Sequence, residues 1–496
     1  MKKEDFKNTI SIEDQEASRL FDTGSVAYKK FIHKIAIWFQ EILGVKFSLE
    51  IPRELWGYGT ETWPSIFLAA ELKEKNIIQD LHRESQEFPD EVKVPFLYLG
   101  HISSNRPGWN GLGASFKSEK AALEAAVGET LERYSLLNFA PEEKECIDSS
   151  VAAMKEDFLN PEILAGISKK ERQNGHPKFN IDFDDKTTFR WVQGYSLMRG
   201  KPTWVPLQLV SFAYQPWRTN KEPLLRLIIS GGAASGKTID DAILHGLLEF
   251  IEHDAYMVTW LNKLSPKKID LESVIDEDFK KILRRVREKR LEFHILSLPT
   301  DQPVNVFLAI LIDKTGIGPA VSATGGAGLS PAEALWSTTN EIFAHRLNLR
   351  KDYERIIKTG IDINFNDPSN IGRSGRLSFW SRKGMEKEID FLLRGTETKF
   401  SDLKDYTPPQ ANSSEKLKFI TNNLKNDKLE AAYVNIIPPG LQNLPIKTVA
   451  TIIPELQPMH LEEGLPYFSG PRLKEVPIKL GYRPAENINH LPHPFP

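Results

Sequence analysis

The sequence predicts a mixed α/β fold, and three observations carry that expectation. From about Val94 onward, short apolar strand-like runs alternate with helical stretches. Three of these transitions pass through a Gly-rich stretch. After each, a Ser or Thr opens a helix in which an Ala stands four residues later and a Glu eleven residues later: Ser118–Ala122–Glu129, Thr238–Ala242–Glu249 and Ser330–Ala334–Glu341.

Residues 1–93 lack that pattern and read as a separate N-terminal region. Within it, Phe31–Leu43 has apolar residues at helical spacing, suited to core packing or to docking a partner. Residues 94–496 form the second unit. VPFLYLGHI (94–102) reads as a strand and Ser118–Leu136 as a helix. LLRLIIS (224–230) reads as a strand, followed by a Gly-rich turn and a helix from Ile239 to about Leu261. VNVFLAILID (304–313) is another strand, followed by the turn GGAG (325–328) and a helix from Pro331 to about Leu349. Thr238 with Asp241, and Ser330 with Glu333, have capping-box spacing, and Pro331 sits where its missing N–H costs nothing. Ser118 has Ala121 at the corresponding place, which predicts a weaker cap. The last ninety residues hold nearly half of the chain's 32 prolines and exclude one long helix. They finish in LPHPFP, with prolines at 492, 494 and 496, which reads as an extended Pro-rich tail.

Composition excludes several classes of function. A formal net charge of −3 over 496 residues supplies no bulk field for nucleic acid or an anionic membrane. The single Cys146 excludes an internal disulfide framework and a cysteine-rich zinc site. MKKEDFKNTISIEDQE has no apolar core behind its basic residues, so no secretory signal is read there. No apolar run approaches the roughly 18 residues of a membrane span. These features together predict a cytoplasmic protein.

The spacing of the acids points to chemistry. Glu132 and Glu252 follow Glu129 and Glu249 at the next i+3 step, while Ala344 takes that place after Glu341. Residues three apart share a helical face, so two helices each present a carboxylate pair and a third presents one. Converging carboxylates repel unless cations neutralise them. An oxygen-rich site of this kind suits Mg2+, with phosphate oxygens as further ligands. Gly231–Thr238, GGAASGKT, also matches the P-loop pattern G-x-x-x-x-G-K-[ST] between a strand-like run and a helix. On that reading Lys237 reaches phosphate oxygens and Asp313, at a strand end, approaches Mg2+. A P-loop uses one of three related segments and leaves two unexplained, so it ranks second. His245 and His253 lie beside Glu249 and Glu252, where a structural role outweighs a ligand role.

GWNGLGASFKSEKAALEAAVGETLERYS, SGGAASGKTIDDAILHGLLEFIEHDA and GGAGLSPAEALWSTTNEIFAHR resemble, in order, the three ATP-binding segments of the YcaO family. IIPELQPMHLEEGLPYFSGPRL (452–473) is similar to the end of that domain, and INHLPHPFP resembles the PxPxP tail of its azoline-forming branch. The likeness covers roughly residues 94–496. It implies a domain that binds ATP between carboxylate-bearing helices. By this resemblance Glu129, Glu132, Glu249 and Glu252 hold Mg2+, while Ser230, Arg133, Arg346, Lys237 and Glu341 face the nucleotide. Pro492, Pro494 and Pro496 bring the terminal carboxylate to the reacting centre. The sequence departs from the family at Gly111–Leu112–Gly113 in place of Gly-Lys-Gly, at Ala125, at Gly231 in place of Asn and at Ala344 in place of Gln. Lys237 and Lys117 are the candidates to replace the missing lysine.

What the resemblance implies is ATP-dependent cyclodehydration. A Cys, Ser or Thr of a ribosomally made precursor peptide attacks the preceding carbonyl. ATP phosphorylates the amide oxygen, which leaves as phosphate when the thiazoline or oxazoline ring forms. The implied partners are that peptide, a separate E1-like, leader-binding protein and a flavin-dependent azoline oxidase acting afterwards; a homodimer is also open. Two alternatives stand beside this one. The first is a P-loop NTPase or kinase using Gly231–Thr238. The second is a non-catalytic scaffold of a peptide-modifying complex, which Gly231 and Ala344 would suit.

Overall fold

A computed structural model describes residues 63–103, 109–219, 221–359 and 371–495. In chain order the elements that build the fold begin with α1 (Trp63–Glu74), β1 (Ile78–Arg83), β2 (Phe96–Ile102), β3 (Asn110–Ser115) and α2 (Glu119–Asn138). There follow β4 (Cys146–Ser150), β5 (Thr188–Ser196), β6 (Lys201–Pro206), β7 (Ala233–Gly236) and α3 (Ile239–Leu261). Next come β8 (Lys267–Asp270), β9 (Glu292–Ser297), β10 (Asn305–Ile312), β11 (Val321–Gly328) and α4 (Pro331–Thr359). The series closes with β12 (Glu397–Lys399), β13 (Ala432–Asn435) and β14 (Lys447–Ile452).

The strands make three sheets: β1-β2-β3, β4-β5-β13-β14-β7 with β6 beside β5, and β11-β10-β9-β8-β12. β3, β7 and β11 each lie at the edge of a different sheet, and each leads into one of the long helices α2, α3 and α4. The helices close a ring. α2 packs on β3 and on β7, α3 on β7 and on β11, and α4 on β11 and on β3. Three β–α units therefore close into a ring.

This arrangement explains the repeated sequence pattern. The Gly-rich stretches are edge strands, not the turns that the sequence suggests, and their glycines let a helix lie close on its own strand. A Cβ on Gly113 would stand 1.8 Å from the Ala122 carbonyl oxygen. One on Gly236 would stand 2.4 Å from Ala242 N, and one on Gly328 2.8 Å from Ala334 N. The recurrent Ala is thus the small residue that faces the strand, and the Glu two turns later looks out at the strand's far end. LLRLIIS (224–230) forms no strand. The helix starts follow the expected caps. Ser118 Oγ accepts from Ala121 N, and Thr238 Oγ1 from Asp241 N. Of these three, Ser330 alone has the reciprocal box, with Glu333 accepting from the Ser330 N–H. The Asp241 carboxylate reaches Lys237 N instead.

β10 is buried along its whole length and serves two cores. Val306, Leu308, Ile310 and Ile312 face the core that contains α3. Phe307, Ala309 and Leu311 face the one built with α4 and the helix Glu277–Glu288. A strand covered on both faces reads as a continuous apolar run, as this one does.

The fold begins before the expected boundary at residue 93. β1 pairs antiparallel with β2, and Leu72 of α1 shares a core with Val127 and Leu131 of α2. Phe31–Leu43 lies outside the described residues. The Pro-rich segment runs extended but laid down on α3 rather than free. Asn489 N donates to Leu261 O at 2.8 Å, Trp260 Nε1 to Leu491 O at 3.0 Å, and Trp380 Nε1 to Pro492 O at 3.0 Å. Pro492, His493, Pro494 and Phe495 are buried, and Pro496 lies outside the described residues.

Candidate functional site

The helices α2, α3 and α4 bring their acids to one open cleft. Glu129 accepts from Leu112 N at 2.7 Å and from Arg133 Nη2 at 2.8 Å. Arg133 Nη1 donates to Ser230 Oγ at 2.6 Å, tying the first unit to the second. Glu249 accepts from Gly232 N at 3.1 Å. Glu252 accepts from the Tyr256 hydroxyl at 2.7 Å, and Glu341 from Thr324. In each unit, then, the Glu of the repeat is steadied by its own edge strand or, for Glu249, by the residue just before it.

The carboxylates feel one another. Burial pushes Glu249 up to about 8; the Gly232 N–H and Arg133 counteract this, and the charges of Glu341 and Glu129 add to it. Burial also raises Glu341 to about 7, with Glu129 the next contributor. Glu132 and Glu252 lie well above the ordinary range, first through burial and then through neighbouring glutamates. Glu341 is open to water along the cleft, yet dense protein around its carboxylate still disfavours its charge. Burial alone would lower Arg133, but Glu129 and Glu132 hold its guanidinium firmly protonated. One arginine against five acids leaves a site that is overcharged by itself. That donor set, all oxygen and reachable from solvent, fits Mg2+ with phosphate ligands.

The other expected site residues have different settings. Lys237 is 68 % exposed and pairs with Glu124 on the outer face of α2 at 2.9 Å. GGAASGKT is no phosphate loop, because Ala233–Gly236 is a strand whose ladder pairs with Lys447–Ala450. Backbone groups committed to a sheet cannot cradle phosphate. Arg346 is fully buried away from the cleft and donates to Glu91 at 2.6 Å, Asp313 at 3.1 Å and the Pro319 carbonyl at 3.0 Å. Asp313 is thereby committed to the Arg346 network rather than open to a metal. Lys117 pairs with Asp276 and lies over Trp336. His253 is driven by burial down to about 4, so it is neutral, and His245 is exposed beside the Ser235 carbonyl.

Sequence reasoning missed two residues. Tyr256 stands at i+4 from Glu252, a spacing that was legible. Arg226 carried no signal at all. It lines a cavity beside the cleft with Ile229, Gly231, Phe250, His253 and Met459. Its guanidinium lies 5.9 Å from the Phe250 ring centroid, and its Nη1 is buried with no hydrogen-bond partner. Arg226→Met, which exchanges a half-buried guanidinium with one unpaired buried nitrogen for an apolar chain of similar reach, is expected to stabilise the ligand-free protein by about 1 kcal/mol. Thermal unfolding checks this; a fall in melting temperature would mean that Arg226 has a stabilising partner.

A His460–Glu463–His493 cluster also carries ligand-type atoms within 4.8 Å of one another. The buried Arg376 guanidinium contacts His493 and donates to the His460 and Leu461 carbonyls. A cation already occupies the place that a metal would need. No described helix is long and apolar enough to cross a membrane.

Comparison with known proteins agrees with this geometry. The family model for YcaO cyclodehydratase, ATP- and Mg2+-binding, matches residues 111–457. An uncharacterized protein from the tfuA 3' region of Rhizobium leguminosarum bv. trifolii is 30% identical over 125 residues, which is 25% of this chain and 29% of that protein. A heterocyclase solved in complex with substrate and cofactor aligns with a TM-score of 0.68 at 20% identity, covering 86% of this chain and 57% of that one. YcaO from Methanopyrus kandleri, solved with AMPPCP and Mg2+, aligns with a TM-score of 0.56 at 15% identity over 80% of this chain and 91% of that one. The chain thus spans less than two thirds of the length of the Rhizobium relative and of the heterocyclase. Three carboxylate-bearing helices on three Gly-rich edge strands, together with a family model matched across more than half of the sequence, establish that this chain belongs to the YcaO family.

Proposed function

We propose that the protein is an ATP- and Mg2+-dependent cyclodehydratase that closes azoline rings on Cys, Ser or Thr residues of a precursor peptide. The observation that carries the reading is the convergence of Glu129, Glu132, Glu249, Glu252 and Glu341 from three helices onto one open cleft. When bound, Mg2+ supplies neutralisation of the phosphate oxygens and orientation of the transferred phosphoryl group. Glu129, Glu132, Glu249 and Glu252 would hold it, with Glu341 closing the third side. Arg133 steadies phosphate oxygens from its anchorage on Ser230 and Glu129. The cavity around Arg226, lined by polar and apolar groups alike, borders the cleft, where a peptide backbone needs a donor for its carbonyl oxygen.

A separate E1-like, leader-binding protein would present the peptide, a flavin-dependent oxidase would act on the product, and the reaction would run in the cytoplasm. The test is mass spectrometry of a Cys/Ser/Thr-rich precursor peptide incubated with the protein, its leader-binding partner, Mg2+ and ATP. Loss of one water per ring, with one phosphate released, is expected. A peptide of unchanged mass and no ATP turnover would leave a scaffold instead. Lys237→Ala is expected to change turnover by no more than about threefold, because an exposed ion pair contributes little. Loss of all turnover in that variant would revive the P-loop alternative.

A further inference from the structure

Tyr256 stands one turn beyond Glu252 on α3, and its hydroxyl donates to Glu252 Oε1 at 2.7 Å. The Ala327 N–H of β11 donates to the same carboxylate. Two donors on one carboxylate fix its plane. The Tyr256 ring is clamped from two sides. On one side β11 lies so close that a Cβ on Gly325 would stand 1.6 Å from the Tyr256 hydroxyl oxygen. On the other, Phe495 stacks on the ring with centroids 4.6 Å apart and planes 28° apart. Phe495 is itself 1 % exposed and is backed by Trp260 and His493. The backbone before it is tied to the same helix through Asn489, Leu491 and Trp260.

We infer that Tyr256 is a positioning residue through which the docked 489–495 segment sets the Glu252 carboxylate, and with it the affinity of the cleft for Mg2+-bound nucleotide. This rests on reading the cleft as a Mg2+–nucleotide site. The physical reason is the freedom of a glutamate. Three side-chain torsions separate its carboxylate from the helix, so an undirected Glu252 samples many orientations and a metal must select one. Outer-shell donors remove that freedom in advance, and their loss costs roughly 10- to 100-fold in metal affinity. Phe495 never touches the carboxylate. It holds the phenol ring against β11, so that the hydroxyl has one place to go. The apolar packing of a distant segment is thereby converted into the orientation of a charged group.

The experiment uses the full chain, with calorimetric titration of AMPPCP at several Mg2+ concentrations and thermal unfolding of every variant. Tyr256→Phe keeps the stacked ring but loses the hydroxyl, and is expected to weaken Mg2+-dependent AMPPCP binding about tenfold or more. Phe495→Ala is expected to weaken it comparably, and Phe495→Leu to restore part of the loss. In the Tyr256→Phe background, Phe495→Ala should cost nothing further, because the hydroxyl through which it acts is already gone. A folded Phe495→Ala variant with wild-type affinity overturns the inference, and so do losses that multiply in the double variant. Should Phe495→Ala fail to fold, Phe495→Leu carries the same test: a loss of affinity is expected in the wild-type background and none further in the Tyr256→Phe background, and a folded Phe495→Leu variant with wild-type affinity overturns the inference. Wild-type protein that binds no AMPPCP in a Mg2+-dependent manner, or a Glu252→Gln variant that binds it as wild type does, refutes the reading of the cleft itself.

Discussion

Glu249→Gln is expected to abolish Mg2+-dependent nucleotide binding while making the ligand-free protein harder to melt. The two effects share one cause. Glu249 sits among Glu129, Glu132, Glu252 and Glu341, and its charge is disfavoured by burial and by those neighbours. A neutral amide keeps an oxygen for the Gly232 N–H and removes one member of the repelling set. A bound metal loses a charged ligand, which is worth several kcal/mol. That corresponds to about a thousandfold weaker binding, since each 1.4 kcal/mol is about tenfold. Calorimetry with AMPPCP and Mg2+ reads the first effect and thermal unfolding without metal reads the second. A variant that binds normally would remove Glu249 from the site. A variant that binds poorly and also melts earlier would make Glu249 a structural residue.

The melting temperature of the metal-free protein is expected to fall by a few degrees between pH 6.5 and 8.5, and Mg2+ with nucleotide is expected to abolish or reverse that trend. The sign follows from the direction of the shifts. Glu249 and Glu341 titrate near 8 and 7 in the folded chain, and Glu132 and Glu252 are also raised. An unfolded Glu titrates near 4.3. Over this window the folded state holds protons that the unfolded state has already lost, so rising pH favours unfolding. His253 and His493 act in the opposite sense, since burial lowers both, but their contribution is complete once pH exceeds the ordinary histidine value. Asp301, which burial would raise but Arg472 and Lys479 hold low, titrates below the window altogether. Water reaches Glu249 and Glu341 along the cleft and screens their charges, which limits the effect to a few degrees rather than tens. Binding metal requires the carboxylates to be deprotonated, so affinity for Mg2+ should climb as the unliganded fold weakens. Scanning fluorimetry in chelator and in Mg2+–AMPPCP at matched pH checks both halves. A flat or rising curve in chelator would contradict the clustering of the five acids.

The starts of the three helices were legible in the sequence to within a residue, because Ser118, Thr238 and Ser330 are genuine caps and the acids recur on one face, whereas the third helix runs on to Thr359, well past the end expected near Leu349. Their shared site was legible for the same reason: a spacing kept three times constrains three helices alike. The strands before them were not. Glycine has no side chain with which to show the two-residue alternation of a strand, so NGLGAS, AASG and GGAG read as punctuation. LLRLIIS misled in the opposite direction. It has the apolar composition of a strand, yet Leu224 and Leu225 are spent in separate cores and Ile229 lines the Arg226 cavity. Arg346 was misplaced because its partners Glu91 and Asp313 are distant in sequence, and only tertiary packing shows that its charge is already engaged. The docked state of the Pro-rich segment was hidden similarly, since composition indicates stiffness but not what lies beneath.

Ring closure by three β–α units also bears on how the chain acquires its activity. The joint between the first and third units, seen where Phe116 N donates to Asn340 Oδ1, spans 224 positions of chain. Contacts of such separation carry a large loop-closure entropy and form late. Until that seam shuts, Glu341 cannot meet Glu129, so an intermediate with two units assembled would display acids without a complete binding site. Nucleotide should therefore bind only after the slowest folding phase, and its presence during refolding should trap completed molecules without hastening their formation.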